Sequence, residues 1–356
     1  MANTIVGLEI TEEGVRAAEV TTGRTPTLVA FGSVPLPPEA AKDSEVIDRD
    51  AIVLALRQLW SRAGFKSKHV VLGIGSRRIL VREYTTASMR PDLLRQALPF
   101  QVQDLLPVPA DQAVLDFYAV SEEAGRLSGL LVAAVAETVD DLVATVGKAK
   151  LTVDTVDLAP FGLARAVARV AAAGETVAAL HLGDHTSYVV VIRDGIPQFV
   201  RIIPIDIATD AVRTRETVQA AAAAAEGALQ EVPVIEELLE TVPPTEAPAR
   251  RLRAAARGTA RPTVMSASAI ADLVTRLSGT LRFYTDRAGD QPITRVLLSG
   301  AGVAVPGVVE ALAGGIPIPV DALDVARIVK TKGALDNRDD ELNAVTTVGL
   351  ALGEVR

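Results

Sequence analysis

No cysteine occurs among the 356 residues, which excludes disulfides, thiolate nucleophiles and cysteine-ligated metal centres. Aromatic residues are scarce at 3%, so the core must be built mainly from Ala, Val, Leu and Ile. Positive charge is also short: 36 Lys and Arg face 44 Asp and Glu, for a net charge of -8. That balance argues against a nucleic-acid binder, whose affinity needs clustered cations. The apolar run LSGLLVAAVAETV is shorter than the roughly 20 residues a transmembrane helix requires. The start MANTIVGLEI has no basic segment ahead of an apolar one, so no signal peptide is expected. These absences together lead to the expectation of a cytoplasmic protein that meets a membrane through a partner. What the chain does have is 49% hydrophobic residues and 22% charged ones, with length enough for two domains or one bilobal fold.

One passage is written twice. Residues 7–36 and 179–205 each run an apolar strand into a short polar turn, a second apolar strand, another turn, and a third strand ending at a proline. The first copy predicts strands Thr4–Ile10, Val15–Val20 and Leu28–Val34; the second predicts Thr176–Leu182, Ser187–Arg193 and Gln198–Pro204. Asp194-Gly195 is a two-residue hairpin signal. Aligned at the first turn, Leu8-Glu9-Ile10-Thr11-Glu12 falls on Leu180-His181-Leu182-Gly183-Asp184, which reads as an old duplication.

Between the copies, DAIVLALRQLWSRAG predicts a helix capped by Asp50 and closed by Gly64, with Val53, Leu56, Trp60 and Ala63 on one face. Residues 85–155 predict a helix–strand–strand–helix–strand unit, an inserted subdomain whose first helix is kinked or broken at Pro99. Residues 1–84 and 156–175 then form a first lobe and 176–356 a second. The second lobe includes an Ala/Arg-rich segment at about 210–262, where Arg250, Arg251, Arg253, Arg257 and Arg261 read as a solvated loop. Ile270, Leu273, Leu277, Leu281 and Tyr284 predict an amphipathic helix, and RVLLSGAGVAVPGVVEALAG reads strand, Gly-rich turn, helix.

Three turns share one chemistry. Thr11–Gly14, Gly183–Thr186 and Ser299–Gly302 each end a strand, where backbone N–H groups can be presented to a phosphate. His181 and His185 stand four apart, but on a strand and turn that spacing does not make a zinc pair. Ser299 lacks the flanking pattern of a nucleophile elbow. Asp140-Asp141 and Asp339-Asp340-Glu341 read as helix-start charges.

On QALPFQVQDLLPVPADQAVLDFYAV, VGLEI…VRAAEV, LVAAVAETVDDLV…VDTVDLAPFGLARA, LLSGAGVAVPGVVEAL and AVTTVGLALG, the sequence resembles the PilM family of type IV pilus assembly, actin-like and related to FtsA. The resemblance implies an α/β, actin-like bilobal fold of duplicated ribonuclease-H-like halves with an inserted small α/β subdomain. It implies ATP between the lobes, with Thr11, Glu12, Gly183, Asp184 and Thr186 at the phosphates and Gly300, Ala301 and Gly302 lining the nucleoside. Mg²⁺ would be held by Glu9 and Asp184. It also implies a partner, the short cytoplasmic segment of a PilN-like inner-membrane protein, docked on the inserted module near Phe100, Leu106, Pro107 and Phe117. The protein would then sit at the inner membrane through its partners, among other pilus platform proteins, with self-association left open.

The sequence departs from the family at the chemistry. Thr11 stands where the first phosphate turn has glycine, and Glu12 and Glu13 follow it. His181 stands where the second strand has aspartate, and Ile205-Asp206-Ile207 replaces a glycine pair. These changes read against efficient hydrolysis, leaving a weak ATPase at most. The alternatives are an FtsA-like membrane-associated filament, which wants an amphipathic helix beyond the final GLALGEVR, and an actin-fold phosphotransferase, which wants intact phosphate turns.

Overall fold

The computed structural model describes residues 3–43, 45–230, 265–289, 291–332, 335 and 337–353, with 222–230 as backbone only. The expected arginine-rich loop lies outside the described residues.

The first lobe opens with the predicted meander, β1 (Thr4–Ile10), β2 (Gly14–Thr21) and β3 (Thr27–Pro35), then the short β4 (Ala41–Lys42) and β5 (Glu45–Val46). Helix α1 (Arg49–Ala63) follows, and β6 (His69–Ile74) returns to lie parallel to β1. Asp48, not Asp50, caps α1: its side chain accepts from Ala51 N at 3.0 Å, while Asp50 falls in the first turn. Gly64 closes the helix at φ 70° as expected. The buried face is Ile52, Val53, Ala55, Leu56 and Leu59, and Trp60 lies at its edge, donating through its indole to Ser67 O at 2.9 Å.

The inserted module comprises β7 (Leu80–Ala87), α2 (Pro91–Gln101), β8 (Ala113–Glu123), β9 (Arg126–Val135) and α3 (Ala136–Lys148). Its antiparallel sheet has the order β7-β9-β8, and Leu94 and Leu98 of α2 pack with Val102 and Leu131. Helix α2 continues two residues beyond Pro99 before ending. The expected bounds at 85 and 155 fall inside strands: β7 belongs whole to the module's sheet, and β10 (Thr152–Leu158) pairs with β6 in the first lobe. Asp140 and Asp141 sit in the middle of α3 rather than at its start, and Arg49 pairs with Asp141 at 2.6 Å. Helix α4 (Ala159–Ala168) leads on to the second lobe.

The second lobe repeats the first. Strands β11 (Thr176–Leu182), β12 (Thr186–Arg193) and β13 (Ile196–Pro204) form the second meander, turned at Asp194 and Gly195, both at positive φ. Then come α5 (Asp210–Gln230), α6 (Ala267–Thr285), β14 (Arg295–Ser299), α7 (Val308–Gly315), β15 (Val320–Ala322), α8 (Val325–Ile328), β16 (Lys330–Thr331) and α9 (Arg338–Ala351). The sheet orders β10-β6-β1-β2-β3 and β15-β14-β11-β12-β13 are the same order, with the meander antiparallel and the two following strands parallel. β16 adds to the outer edge of β3, so the chain crosses back to the first lobe before α9.

The helices α4 and α9 hold the lobes together. Each packs against the other lobe's sheet, α4 on β11–β13 and α9 on β1, β2 and β6, and the two pack on each other. Ala159, Leu163, Ala166, Val177, Val190, Ala344, Val345 and Val348 share one buried cluster across this boundary. The approach is backbone to backbone: a Cβ on Gly349 would stand 1.9 Å from Gly162 O, and one on Gly7 would stand 2.1 Å from Thr347 O.

Candidate functional site between the lobes

The hairpins β1–β2 and β11–β12 point their first turns into one cleft. Glu9 pairs with Arg16 one step before the turn of the first hairpin, and His181 pairs with Tyr188 at the same step of the second. Duplication thus sets four buried polar side chains against one another. Glu9, Arg16, His181 and Tyr188 all line an inner cavity of about 60 Å³, together with Thr11, Glu12, Gly183, Asp184 and Thr186.

Each side chain is already partnered. Thr347 of α9 donates through Oγ1 to Glu9 Oε2. Burial holds the Glu9 carboxyl above the usual carboxylate range, against the opposing pull of Arg16 and Thr347. His181 Nδ1 lies 3.1 Å from Thr346 Oγ1 and 3.3 Å from Ser299 Oγ, and its ring stacks on Tyr188 with centroids 5.2 Å apart. Burial, helped by Arg16, pushes its pKa down to about 3, so the ring is neutral across the physiological range. Tyr188 donates to Gly75 O at 2.9 Å, and burial raises its phenol. Asp184 accepts from Thr209 Oγ1 at 2.6 Å and lies 3.8 Å from Arg16 Nη2.

At the mouth, the first turn reaches across to the second lobe. Glu13 Oε1 accepts from Arg215 Nη1 at 2.7 Å and from His185 Nε2 at 2.8 Å. His185 Nδ1 lies 2.8 Å from Asp206 Oδ1. Carboxylate oxygens on both ring nitrogens require an imidazolium. The Glu13 hydrogen bond, with Asp206 and the charge of Glu12, outweighs burial and raises His185 to about 9. Burial alone would raise the Glu13 carboxyl, but the His185 hydrogen bond and the Arg215 charge overcome it and leave it lowered. Arg215 also donates to Glu12 O at 3.1 Å. Beyond this gate opens a groove of about 860 Å³ walled by Val34–Pro38, the start of α5 and the start of α9.

The residues expected at a nucleotide divide in two. Thr11, Glu12, Gly183, Asp184 and Thr186 meet in the inner cavity. Gly300, Ala301 and Gly302 line neither the cavity nor the groove. Gly300 and Gly302 lie against Leu182, and Ala301 N donates to Asn343 Oδ1 at 3.0 Å. The proposed magnesium pair, Glu9 and Asp184, faces a cation the chain supplies itself, the Arg16 guanidinium. Among the described residues no cluster of three His, Asp or Glu is arranged to hold a metal. In this arrangement Arg16 lies beside the expected magnesium pair, and the cations nearest the two turns are engaged by Glu13 and Asp184. At the module, Phe100 is 83% exposed and Pro107 is also exposed, whereas Leu106 and Phe117 are half-buried in its core, Phe117 edge-on to Tyr84.

Arg16, Tyr188 and Arg215 escaped sequence reasoning. Register would have found the first two, since a turn of Thr11–Gly14 sets Arg16 opposite Glu9, and the duplication sets Tyr188 opposite His181. Arg215 stands at the start of an alanine-rich helix with no local mark of its role.

Two like sheets, each leading through a helix onto the other, with paired hairpin turns facing one cleft, define an actin-like fold. A sequence model of the type IV pilus assembly protein PilM matches residues 7–202, and the chain belongs to that family. Its fold is similar to a chain of a PilM-PilN type IV pilus biogenesis complex, with TM-score 0.75 and 19% identity over 99% of this chain and 98% of that one. It is also similar to the ethanolamine utilization protein EutJ from Carboxydothermus hydrogenoformans, with TM-score 0.51 and 12% identity over 99% of this chain and 90% of that one. Among the described residues no helix is long and apolar enough to cross a membrane.

Proposed function

We propose that this PilM-family protein docks the cytoplasmic N-terminal segment of a PilN-like inner-membrane protein, and so holds a cytoplasmic component at the pilus assembly platform. The observation that carries the reading is the bare apolar face of the inserted module. Phe100, 83% exposed, and Leu93, 48% exposed, stand two turns apart on one side of α2. Leu94 and Leu98 already fill the module's own core from the other side of the helix. Exposed apolar residues grouped on one element mark a surface for a partner, and a short peptide would cover this one. The match to a PilM-PilN complex over nearly the whole chain supports the choice of partner.

Docking, not phosphoryl transfer, is the work in this reading. A phosphotransferase needs a free carboxylate base and open phosphate turns, whereas Glu9 and Asp184 are both engaged. Phe100→Ser tests the docking face with a synthetic peptide of the partner's first residues. Titration calorimetry should read at least tenfold weaker binding, with the melting temperature unchanged because the side chain stands in solvent. Equal affinity for wild type and variant would reject this face.

A further inference from the structure

We propose that Glu13 is a built-in anion for the cleft: presented by the first turn, its carboxylate occupies the His185 and Arg215 cations of the opposite lobe and latches the lobes without a nucleotide. This inference concerns the cleft alone and is independent of the docking face.

The geometry supports it at each contact. One oxygen of Glu13 receives both Arg215 at 2.7 Å and His185 at 2.8 Å, and the Glu13 side chain is 6% exposed. The second acceptor on His185 is Asp206 and the second on Arg215 is the Glu12 carbonyl, so each cation meets further oxygens of this chain. A further cation of the cleft, Arg16, lies 3.8 Å from Asp184 and 3.5 Å from Thr11 Oγ1. An arriving phosphate would find these cations engaged and would have to turn out a buried carboxylate, leaving it unpaired among Glu12, Asp184 and Asp206. The groove beyond is large enough for a nucleoside, and five carboxylates, Glu13, Asp184, Asp210, Asp339 and Asp340, line it against three guanidinium groups, Arg16, Arg215 and Arg338, a balance that disfavours a polyanion. Glu13 of the TEEG turn is thereby explained as the ligand's replacement, while the Glu12 carboxylate accepts from Asp43 N at 3.1 Å.

Glu13→Gln tests the idea on the full chain, because glutamine keeps the acceptor oxygen and removes the charge. ATP is titrated by calorimetry with and without Mg²⁺. The expected result is a gain of at least tenfold in ATP affinity over wild type, about 1.4 kcal/mol, and the gain should not require Mg²⁺. Equal or weaker binding by the folded variant overturns the proposal. If the variant does not fold, nitrogen NMR of the wild-type His185 ring decides, with His185→Gln assigning its signals among the three histidines. Signals unmoved by millimolar ATP mean that Glu13 keeps its place. Signals that shift on saturable binding mean that a phosphate takes it, and the proposal fails.

Discussion

Changing Gly349 to alanine tests how the lobes are joined, because the same substitution in another helix should have the opposite sign. In the middle of a helix, alanine is favoured over glycine by about 1 kcal/mol. At Gly147, in the last turn of α3, a Cβ meets nothing within 4 Å, so Gly147→Ala should gain a fraction of that. At Gly349 of α9 a Cβ would stand 1.9 Å from Gly162 O and 2.6 Å from Gly162 C. Both are backbone atoms, so no rotamer change relieves the clash, and α4 and α9 must part by more than an ångström. Overpacking of this kind costs about 1–3 kcal/mol or more, and parting the helices also loosens Ala344, Val345 and Val348 from their shared cluster. The clash is with backbone and sits at the upper end of that range, so after subtracting the helix gain Gly349→Ala should lose up to about 2 kcal/mol, a sizeable part of the roughly 5–15 kcal/mol that stabilises an ordinary domain. Urea unfolding followed by circular dichroism measures both variants. Two shifts of the same sign, or a Gly349→Ala protein as stable as wild type, would refute the account of close helix packing. The effect reaches the cleft as well, since Thr346 and Thr347 on α9 hold His181 and Glu9.

The latch has a pH signature. His185 is raised to about 9 from an ordinary 6.5, so its contribution is fully present below about pH 6.5 and is lost as pH rises through 9. With Asp206 91% exposed and His185 28% exposed, screening by solvent leaves a loss on the order of 1–2 kcal/mol. Melting curves at pH 6.5 and 9.5 should therefore fall further apart for wild type than for His185→Gln, and equal gaps would count against the ion pairs. Asp48→Ala removes the α1 cap and should cost about 1 kcal/mol in urea unfolding, whereas Asp50→Ala should cost much less; the reverse order would contradict the cap.

Local pattern made most of the architecture legible. Near-continuous apolar runs bounded by Thr-Glu-Glu-Gly, Gly-Asp-His and Asp-Gly predicted both meanders nearly to the residue, because a strand buried on both faces and its turn are decided over a few neighbours. The amphipathic stripe of Leu273, Leu277, Leu281 and Tyr284 is buried as its spacing required. Boundaries read less well. Asp48 and Asp50 are both competent caps by composition, and the backbone of the β5–α1 connection selected Asp48. The expected limits of the module at 85 and 155 fall within strands, because whether Leu80–Ala87 and Thr152–Leu158 pair with one sheet or another is a long-range choice with no local mark.

By itself, then, the sequence determined the duplication, the element types, the actin-like class and the presence of three candidate turns. Only the tertiary structure decided what those turns do. It set Gly300 and Gly302 against Leu182 and not against a cavity, placed Arg16 between Glu9 and Asp184, and brought Arg215 and His185 of one lobe onto Glu13 of the other. Which side chains meet is settled at short range, and pairs such as Glu13 and Arg215 or Glu9 and Thr347 lie so far apart along the chain that only tertiary packing, such as α9 on β1, brings them together.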